Sequence, residues 1–391
     1  MEKLKQAVKE IAYGQNQAKF SNLHRSLIPF LSYASSLYGA VLYIRHSLYR
    51  SGFFSKNSLP VPVISVGNLT WGGNGKTPMV EFIAKRLTDY GISSLILTRG
   101  YAGGDEAKML KRHLIGRAVK VGVGANRVAT ANLAFEKYGY VDYRGGKFVE
   151  RTYLDPKMGS HIDSQKIGAA ILDDGMQYWS LSRDLEIVMI NGLMPWGNGK
   201  LLPLGPLREA LTAIRRADIA VIHHADLVPE QKVKVIELVV QEIKESLPIF
   251  YTRMTPSYLF EPRNISKKMH LEGLHDAVVL CVSAIGFPDA FVMAVEKIGP
   301  LFVDQIDFSD HHSFGIEDIH MIRKRLRQLE DKFSCKPIIV VTEKDYDRDP
   351  EILKHMYPFQ VVVLCSEMQI IPRKGCDEES FKSLLKELLE V

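Results

Sequence analysis

Six consecutive residues, Gly72-Gly73-Asn74-Gly75-Lys76-Thr77, set a lysine and a hydroxyl directly behind three glycines. Glycines let backbone N–H groups converge on phosphate oxygens, and a helix beginning there adds the partial positive charge of its N-terminus. Lys76 can reach the β- and γ-phosphates of a nucleotide, and the Thr77 hydroxyl can ligate Mg²⁺. The general pattern G-x-x-x-x-G-K-[ST] begins with glycine where this chain has Thr70, so the candidate nucleotide loop is Thr70, Trp71, Gly72, Gly73, Asn74, Gly75, Lys76 and Thr77. Downstream, the apolar run GAAIL ends in Asp173-Asp174-Gly175-Met176-Gln177. A carboxylate at a buried strand end is placed to hold Mg²⁺ directly or through water. By itself this is equally an Asp-Gly turn. A second glycine-rich loop, Thr98 to Glu106, carries Arg99, Asp105 and Glu106, and composition alone would make it a surface turn. Arg208 is a candidate clamp for phosphate charge, against the bland reading of a surface arginine.

These residues need elements to position them. Val61 to Val66 is a short β-branched run that reads as a buried strand. Met79 to Tyr90 has helical apolar spacing, with Pro78 suited to the first turn and Gly91 closing it. Strand, glycine-rich loop and helix in that order are the context a phosphate loop requires. Ser93–Leu97, Gly168–Leu172 and Leu185–Ile190 read as further strands, and Leu207-Arg208-Glu209 as the opening of a helix. The alternation predicts an α/β fold, a P-loop kinase-like parallel sheet flanked by helices, over residues 59–250. Residues 251–270, with two prolines, read as a linker, and 271–391 as a second, smaller α/β domain ending in an amphipathic helix.

Residues 1–58 form a separate segment. Lys3, Lys5, Lys9, Lys19, Arg25, Arg45, Arg50 and Lys56 stand there against only Glu2 and Glu10, which accounts for all of the chain's net charge of +5. The stretch Leu27–Ile44 has no charge but contains Pro29, Gly39 and several serines and tyrosines. Basic and aromatic borders around such a run suit a helix lying in a membrane interface. A buried helix and an organelle-targeting presequence are the competing readings. An apolar fraction of 46% and a charged fraction of 24% over 391 residues exclude a wholly disordered chain, a collagen and a polytopic membrane protein. The small, localised charge excess gives no reason to expect a nucleic-acid partner. Cys281, Cys335, Cys365 and Cys376 lack zinc or disulfide spacing and read as reduced thiols.

Taken in order, V-G-N-L-T-W-G-G-N-G-K-T-P at 66–78, T-R-G-Y at 98–101, G-D-E at 104–106, D-D-G-x-Q at 173–177, G-N-G at 197–199, L-P-x-G-P-L-R-E at 202–209, D-H-H at 310–312 and V-T-E-K-D at 341–345 resemble the tetraacyldisaccharide 4'-kinase family. The resemblance implies ATP-dependent phosphorylation of the 4'-hydroxyl of a lipid-linked glucosamine disaccharide, giving lipid IVA, with ATP and Mg²⁺ as cofactors. It implies that Asp105 is the general base and that His311, over 200 residues away, pairs with it. That pairing predicts a meeting of the two domains. The resemblance also places Asp173 and Asp174 on the metal-binding strand end and makes Arg208 and Glu209 an active-site pair, so the expected metal ligands are Thr77, Asp173, Asp174 and Glu209. It further implies a membrane-associated N-terminus and, by similarity to the plant forms, a mitochondrial location. Tyr178 stands where the family often has histidine, and Ala107 where it usually has proline. Two other readings stay open. A nucleotide-hydrolysing switch or metallochaperone-type GTPase shares the G-G-x-G-K-T loop, and T-E-K-D resembles a base-reading N-K-x-D. A nucleotide-binding module without catalysis is the third.

Overall fold

The computed structural model describes residues 2–14, 20–100, 104–141 and 166–390. The chain folds as two compact units: Met1–Arg99, Arg117–Thr252 and Ile370–Val391 form the first, and Gly100–Gly116 with Arg253–Gln369 form the second. Two helices open the chain, α1 (Glu2–Tyr13) and α2 (Asn22–Arg50). Then come β1 (Val63–Asn68), α3 (Lys76–Asp89), β2 (Ser94–Thr98), α4 (Asp105–His113), β3 (Val119–Val123) and α5 (Arg127–Tyr138). The middle of the chain supplies β4 (Ala169–Asp173), β5 (Leu185–Asn191), β6 (Ile219–His223), α6 (Glu230–Ile243), β7 (Ile249–Glu261) and β8 (Asn264–Met269). The remainder is β9 (Val278–Ser283), α7 (Pro288–Glu296), β10 (Phe302–Asp307), α8 (Ile316–Phe333), β11 (Ile338–Thr342), α9 (Glu343–Arg348), β12 (Gln360–Ile370) and α10 (Glu378–Glu390).

In the first unit the strands lie in the order β3-β2-β4-β1-β5-β6, all parallel, with Ile249–Thr252 of β7 beside β6. Every residue of β1, β4, β5 and β6 is buried, as expected for parallel strands covered on both faces. β1 sits between β4 and β5, and the register pairs Val66 with Asp173. The loop leaving β1 and the aspartate ending β4 therefore emerge side by side at the carboxyl ends of the strands, where ligands bind in such sheets.

The second unit has the parallel order β10-β9-β11-β12, and the far end of β7 forms an antiparallel pair with β8. Its core packs Phe260, Leu280, Val282, Leu326, Ile339 and Val363.

Three expectations are corrected. Residues 251–270 are mostly β7 and β8, and not a linker; Pro256 lies in the half-exposed middle of β7, where a missing N–H costs least. Gly100–Gly116 joins the second unit because Arg112 on α4 forks onto Asp347 at 2.9 and 2.8 Å and bonds Glu343 at 3.0 Å. Leu207–Glu209 does not open a helix: Ala210 is extended, and a short 3₁₀ turn follows at Leu211–Arg216.

α2 is 29 residues long, with Ser21 as its N-cap. Leu31 and Ser35 are buried, while Phe30, Tyr33, Leu37, Val41 and Ile44 form an outward apolar stripe at three- and four-residue spacing, each more than half exposed. Among the described residues it is the one helix long and apolar enough to cross a membrane by length and composition.

Candidate functional site

The glycine-rich loop is fastened from within. Asn68 Nδ2 donates to the Thr70 carbonyl at 2.7 Å, Asn74 Nδ2 to the Gly72 carbonyl at 2.9 Å, and Asn191 Nδ2 to the Gly73 carbonyl at 3.0 Å. Thr70 and Asn74 are buried and bonded to each other, so their side chains shape the loop from inside. Trp71 N donates to the Pro206 carbonyl, and the Trp71 carbonyl accepts from Tyr13 of α1 at 2.7 Å. Gly75 caps α3 with φ of 76°, and a Cβ on it would lie 2.5 Å from the His223 ring; only glycine fits. No side chain caps this helix, so its first N–H groups are presented to the loop, the arrangement an anion requires.

Lys76 and Arg208 converge on Asp174. Lys76 Nζ is 3.6 Å from Oδ1, and the Arg208 guanidinium forks onto both oxygens at 2.9 and 2.8 Å. Arg208 is itself anchored on the carbonyl and side chain of Asn68. Desolvation would raise the Asp174 carboxyl, but the charges of Lys76 and Arg208 outweigh it and hold it well below the usual carboxylate range. Asp174 also has a left-handed φ of 55°, a conformation that persists only where surroundings impose it.

Of the four expected metal ligands, Thr77 and Asp173 are brought together, Oγ1 lying 3.5 Å from Oδ2. Asp174 is bound instead by the two cations. Glu209 is buried and held by Gln177 at 3.1 Å, Arg216 at 2.9 Å and His46 at 3.2 Å. Helix α2 thus reaches this site: Tyr38 donates to the Arg208 carbonyl, Arg45 to the Gln177 carbonyl, and His46 meets Glu209.

In the second unit His311 Nδ1 lies 3.1 Å from Asp105 Oδ2. Both residues belong to that unit, so the pairing does not need two domains to meet. Asp105 is 1% exposed and His311 28%, so the pair reaches solvent through the imidazole. Burial alone would raise the Asp105 carboxyl; the His311 hydrogen bond and the Lys344 charge overcome this and lower it. The same hydrogen bond raises His311 against its own burial. His311, like Asp174, takes a left-handed φ, 61°. His312 turns away to bond Asp318 at 2.8 Å, so the adjacent histidines do not face one ion.

The T-E-K-D segment does not resemble a base reader in its contacts. Asp345 is buried and bonded to Thr342 Oγ1 at 2.6 Å, Arg348 at 2.8 Å and the Ala284 N–H at 3.1 Å, leaving its carboxylate committed inside the unit.

Sequence reasoning missed two arginines. Arg127, buried under the Tyr178 ring, donates to the Asp173 carbonyl at 3.4 Å. Arg348 donates to Asp105 Oδ2 at 3.0 Å. The position of Arg348 three residues beyond T-E-K-D was the available signal.

Comparison with known proteins places the chain among named relatives. The family model described as tetraacyldisaccharide-1-P 4'-kinase matches residues 27–390. An Arabidopsis thaliana protein named probable tetraacyldisaccharide 4'-kinase, mitochondrial, is 58% identical over 100% of this chain and 98% of its own. A Halothermothrix orenii tetraacyldisaccharide 4'-kinase is 31% identical over 81% of each chain. The crystal structure of the "apo" form of LpxK from Aquifex aeolicus in complex with ATP superposes with a TM-score of 0.60 at 25% identity, covering 94% of this chain and 99% of that one.

Proposed function

Because the chain belongs to the tetraacyldisaccharide-1-P 4'-kinase family, we propose that it transfers the γ-phosphoryl group of ATP to the 4'-hydroxyl of a tetraacylated glucosamine disaccharide 1-phosphate, giving lipid IVA. The observation that carries the reading is the Asp105–His311 contact at 3.1 Å in a chain that also holds a phosphate loop. A kinase needs a group that takes the acceptor's proton, whereas a nucleotide switch or a passive binding module needs none. The family match over residues 27–390 and the committed Asp345 also weigh against a GTPase.

In this reading the loop amides and the N-terminus of α3 hold the β- and γ-phosphates. Lys76 and Arg208 are two cations kept in place by Asp174, ready to share their charge with the transferring group. Thr77 and Asp173 fit Mg²⁺, a hard cation that takes oxygen ligands and retains waters and substrate phosphates in place of an all-protein cage. When bound, Mg²⁺ neutralises charge on the β- and γ-oxygens. The Asp105–His311 pair takes the 4'-hydroxyl proton, with Asp105 as the base and His311 its partner.

The test is ATP turnover with and without the lipid-linked disaccharide. Turnover should depend on the acceptor; equal hydrolysis in its absence would overturn the reading. Thr77→Ala and Asp173→Asn should each raise the Mg²⁺ concentration for half-maximal rate, by about 10-fold. Unchanged titrations in both would move the metal elsewhere.

The outward stripe of α2 supports contact with a membrane surface, and the basic residues beside it suit anionic headgroups. The name of the Arabidopsis relative supports a mitochondrial location. Deleting residues 1–55 would also remove the contacts of α1 and α2 with Trp71, Gln177, Arg208 and Glu209. Substitutions on the exposed face isolate membrane binding. At about 1.5–3 kcal/mol for each large apolar side chain taken out of water, Phe30→Ser, Leu37→Ser and Val41→Ser together should weaken binding to anionic vesicles at least ~10²-fold. The rate on a water-soluble acceptor should not change, and vesicle binding equal to wild type would refute the surface role of this helix.

A further inference from the structure

Arg348 has no part in the reading above, yet its side chain is 7% exposed and all four of its recorded hydrogen bonds converge on the Asp105–His311 pair and its supports. Nη1 donates to the His312 carbonyl at 2.9 Å and to Asp345 Oδ1 at 2.8 Å. Nη2 donates to Asp105 Oδ2 at 3.0 Å and to the Ala284 carbonyl at 3.2 Å. One planar group therefore bonds both the carboxylate that His311 touches and the backbone of the residue after His311. Asp345, which fixes the guanidinium, is itself fixed by Thr342 and the Ala284 N–H. The Thr342–Asp345 run thus becomes intelligible as the mount of this arginine. Lysine would substitute only in part: it keeps the charge, but a single ammonium cannot span both the carboxylate and the carbonyl in one plane.

We propose that Arg348 is a positioning residue of the transfer reaction, locking Asp105 and His311 into one mutual geometry and keeping the pair poised to take up a proton. The proposal rests on the assignment of proton uptake to that pair. His311 has a left-handed backbone and sits on a loop between β10 and α8, so its ring would not hold this position by local preference. The bond from Arg348 to the neighbouring carbonyl supplies the restraint. The charged groups around the pair are Arg348 and Lys344 on α9, Glu106 on α4, and Asp310 on the loop of His311. Lys344 Nζ lies 3.3 Å from His311 Nε2 and is paired with Glu106 at 3.3 Å and Asp310 at 3.6 Å. Arg348 carries the charge in direct contact with the Asp105 oxygen that His311 shares.

The sign of its effect follows. Removing a cation bonded to Asp105 makes the pair easier to protonate. The acid limb of the rate profile, where the pair becomes protonated and inactive, must then move to higher pH. A loss of folding alone lowers the amount of active enzyme and leaves the limb in place.

The test measures kcat/KM against pH, with ATP and the lipid-linked disaccharide, for wild type, Arg348→Met, Arg348→Lys and Asp105→Asn. Arg348→Met should lose about 10–10²-fold in kcat, the scale of a misplaced reacting group, and its acid limb should move up in pH. Arg348→Lys should recover part of kcat and return the limb toward wild type. If the methionine variant does not fold, Arg348→Gln, which retains donors without charge, should show the same displaced limb. A limb unmoved in every neutral variant, or kcat within about 3-fold of wild type, would overturn the proposal. Full activity in Asp105→Asn would instead overturn the underlying assignment of the pair, so the two failures are distinguishable.

Discussion

Lys76→Ala should cost at least about 10³-fold in kcat with the fold intact. The magnitude follows from what the residue does: removing a single preorganised donor from developing transition-state charge costs about 10²–10³-fold, and Lys76 carries a full charge to the phosphates themselves. Intact folding follows from its contacts. The side chain is 19% exposed and its recorded ion pair is with Asp174, which keeps the bidentate Arg208 when Lys76 is gone. No carboxylate is left buried without a cation, which is the usual route from such a deletion to unfolding. Asp174 should become easier to protonate, since one of its two counter-charges is lost. Measured kcat, ATP affinity and melting temperature separate these effects. Near-normal kcat in a folded Lys76→Ala protein would remove the loop from phosphoryl transfer altogether.

The parts of the site legible in the sequence are those built from contiguous residues. Val63–Asn68, the glycine-rich loop and Lys76–Asp89 follow one another along the chain, so strand, loop and helix each announce the next. Asp173 was visible because it ends a fully apolar run. The parts not legible depend on distant partners or weak patterns. β3 and β10 went unnoticed because each stands at the end of its strand order and is only partly buried, so VKVGV and FVDQID mix charged or polar residues with apolar ones. Arg127 and Arg348 have no diagnostic spacing, since their partners lie 46 and 243 residues away. The assignment of Gly100–Gly116 to the second unit is likewise invisible locally: an amphipathic nine-residue helix fits either unit by pattern, and the Arg112 fork decides. Asp174 and Glu209 could be recognised as site residues by type, but spacing could not say which oxygens face cations and which face metal.

The Asp105–His311 pair gives the second large effect and the sharper test of mechanism. Asp105→Asn keeps shape and the capacity to bond Arg348 but cannot accept a proton. General base catalysis contributes about 10²–10⁴-fold, and kcat should fall by that order while ATP affinity stays near wild type. His311 and Asp105 share a hydrogen bond that lowers the carboxyl and raises the imidazole, so each influences the other's proton affinity. Their contributions should therefore be strongly non-additive, and Asp105→Asn/His311→Ala should be little slower than Asp105→Asn alone. The exposures sharpen the expectation for the single histidine variant. Asp105 is 1% exposed and His311 28%, so the imidazole is the member of the pair open to an acceptor. If the proton reaches Asp105 through that ring, His311→Ala should match the loss in Asp105→Asn; if the carboxylate is approached directly, His311→Ala should lose less. Either result keeps the pair. Two independent losses that multiply in the double variant would dissolve it, and wild-type turnover in Asp105→Asn would pass the role of base to Glu106, the next carboxylate on the same helix.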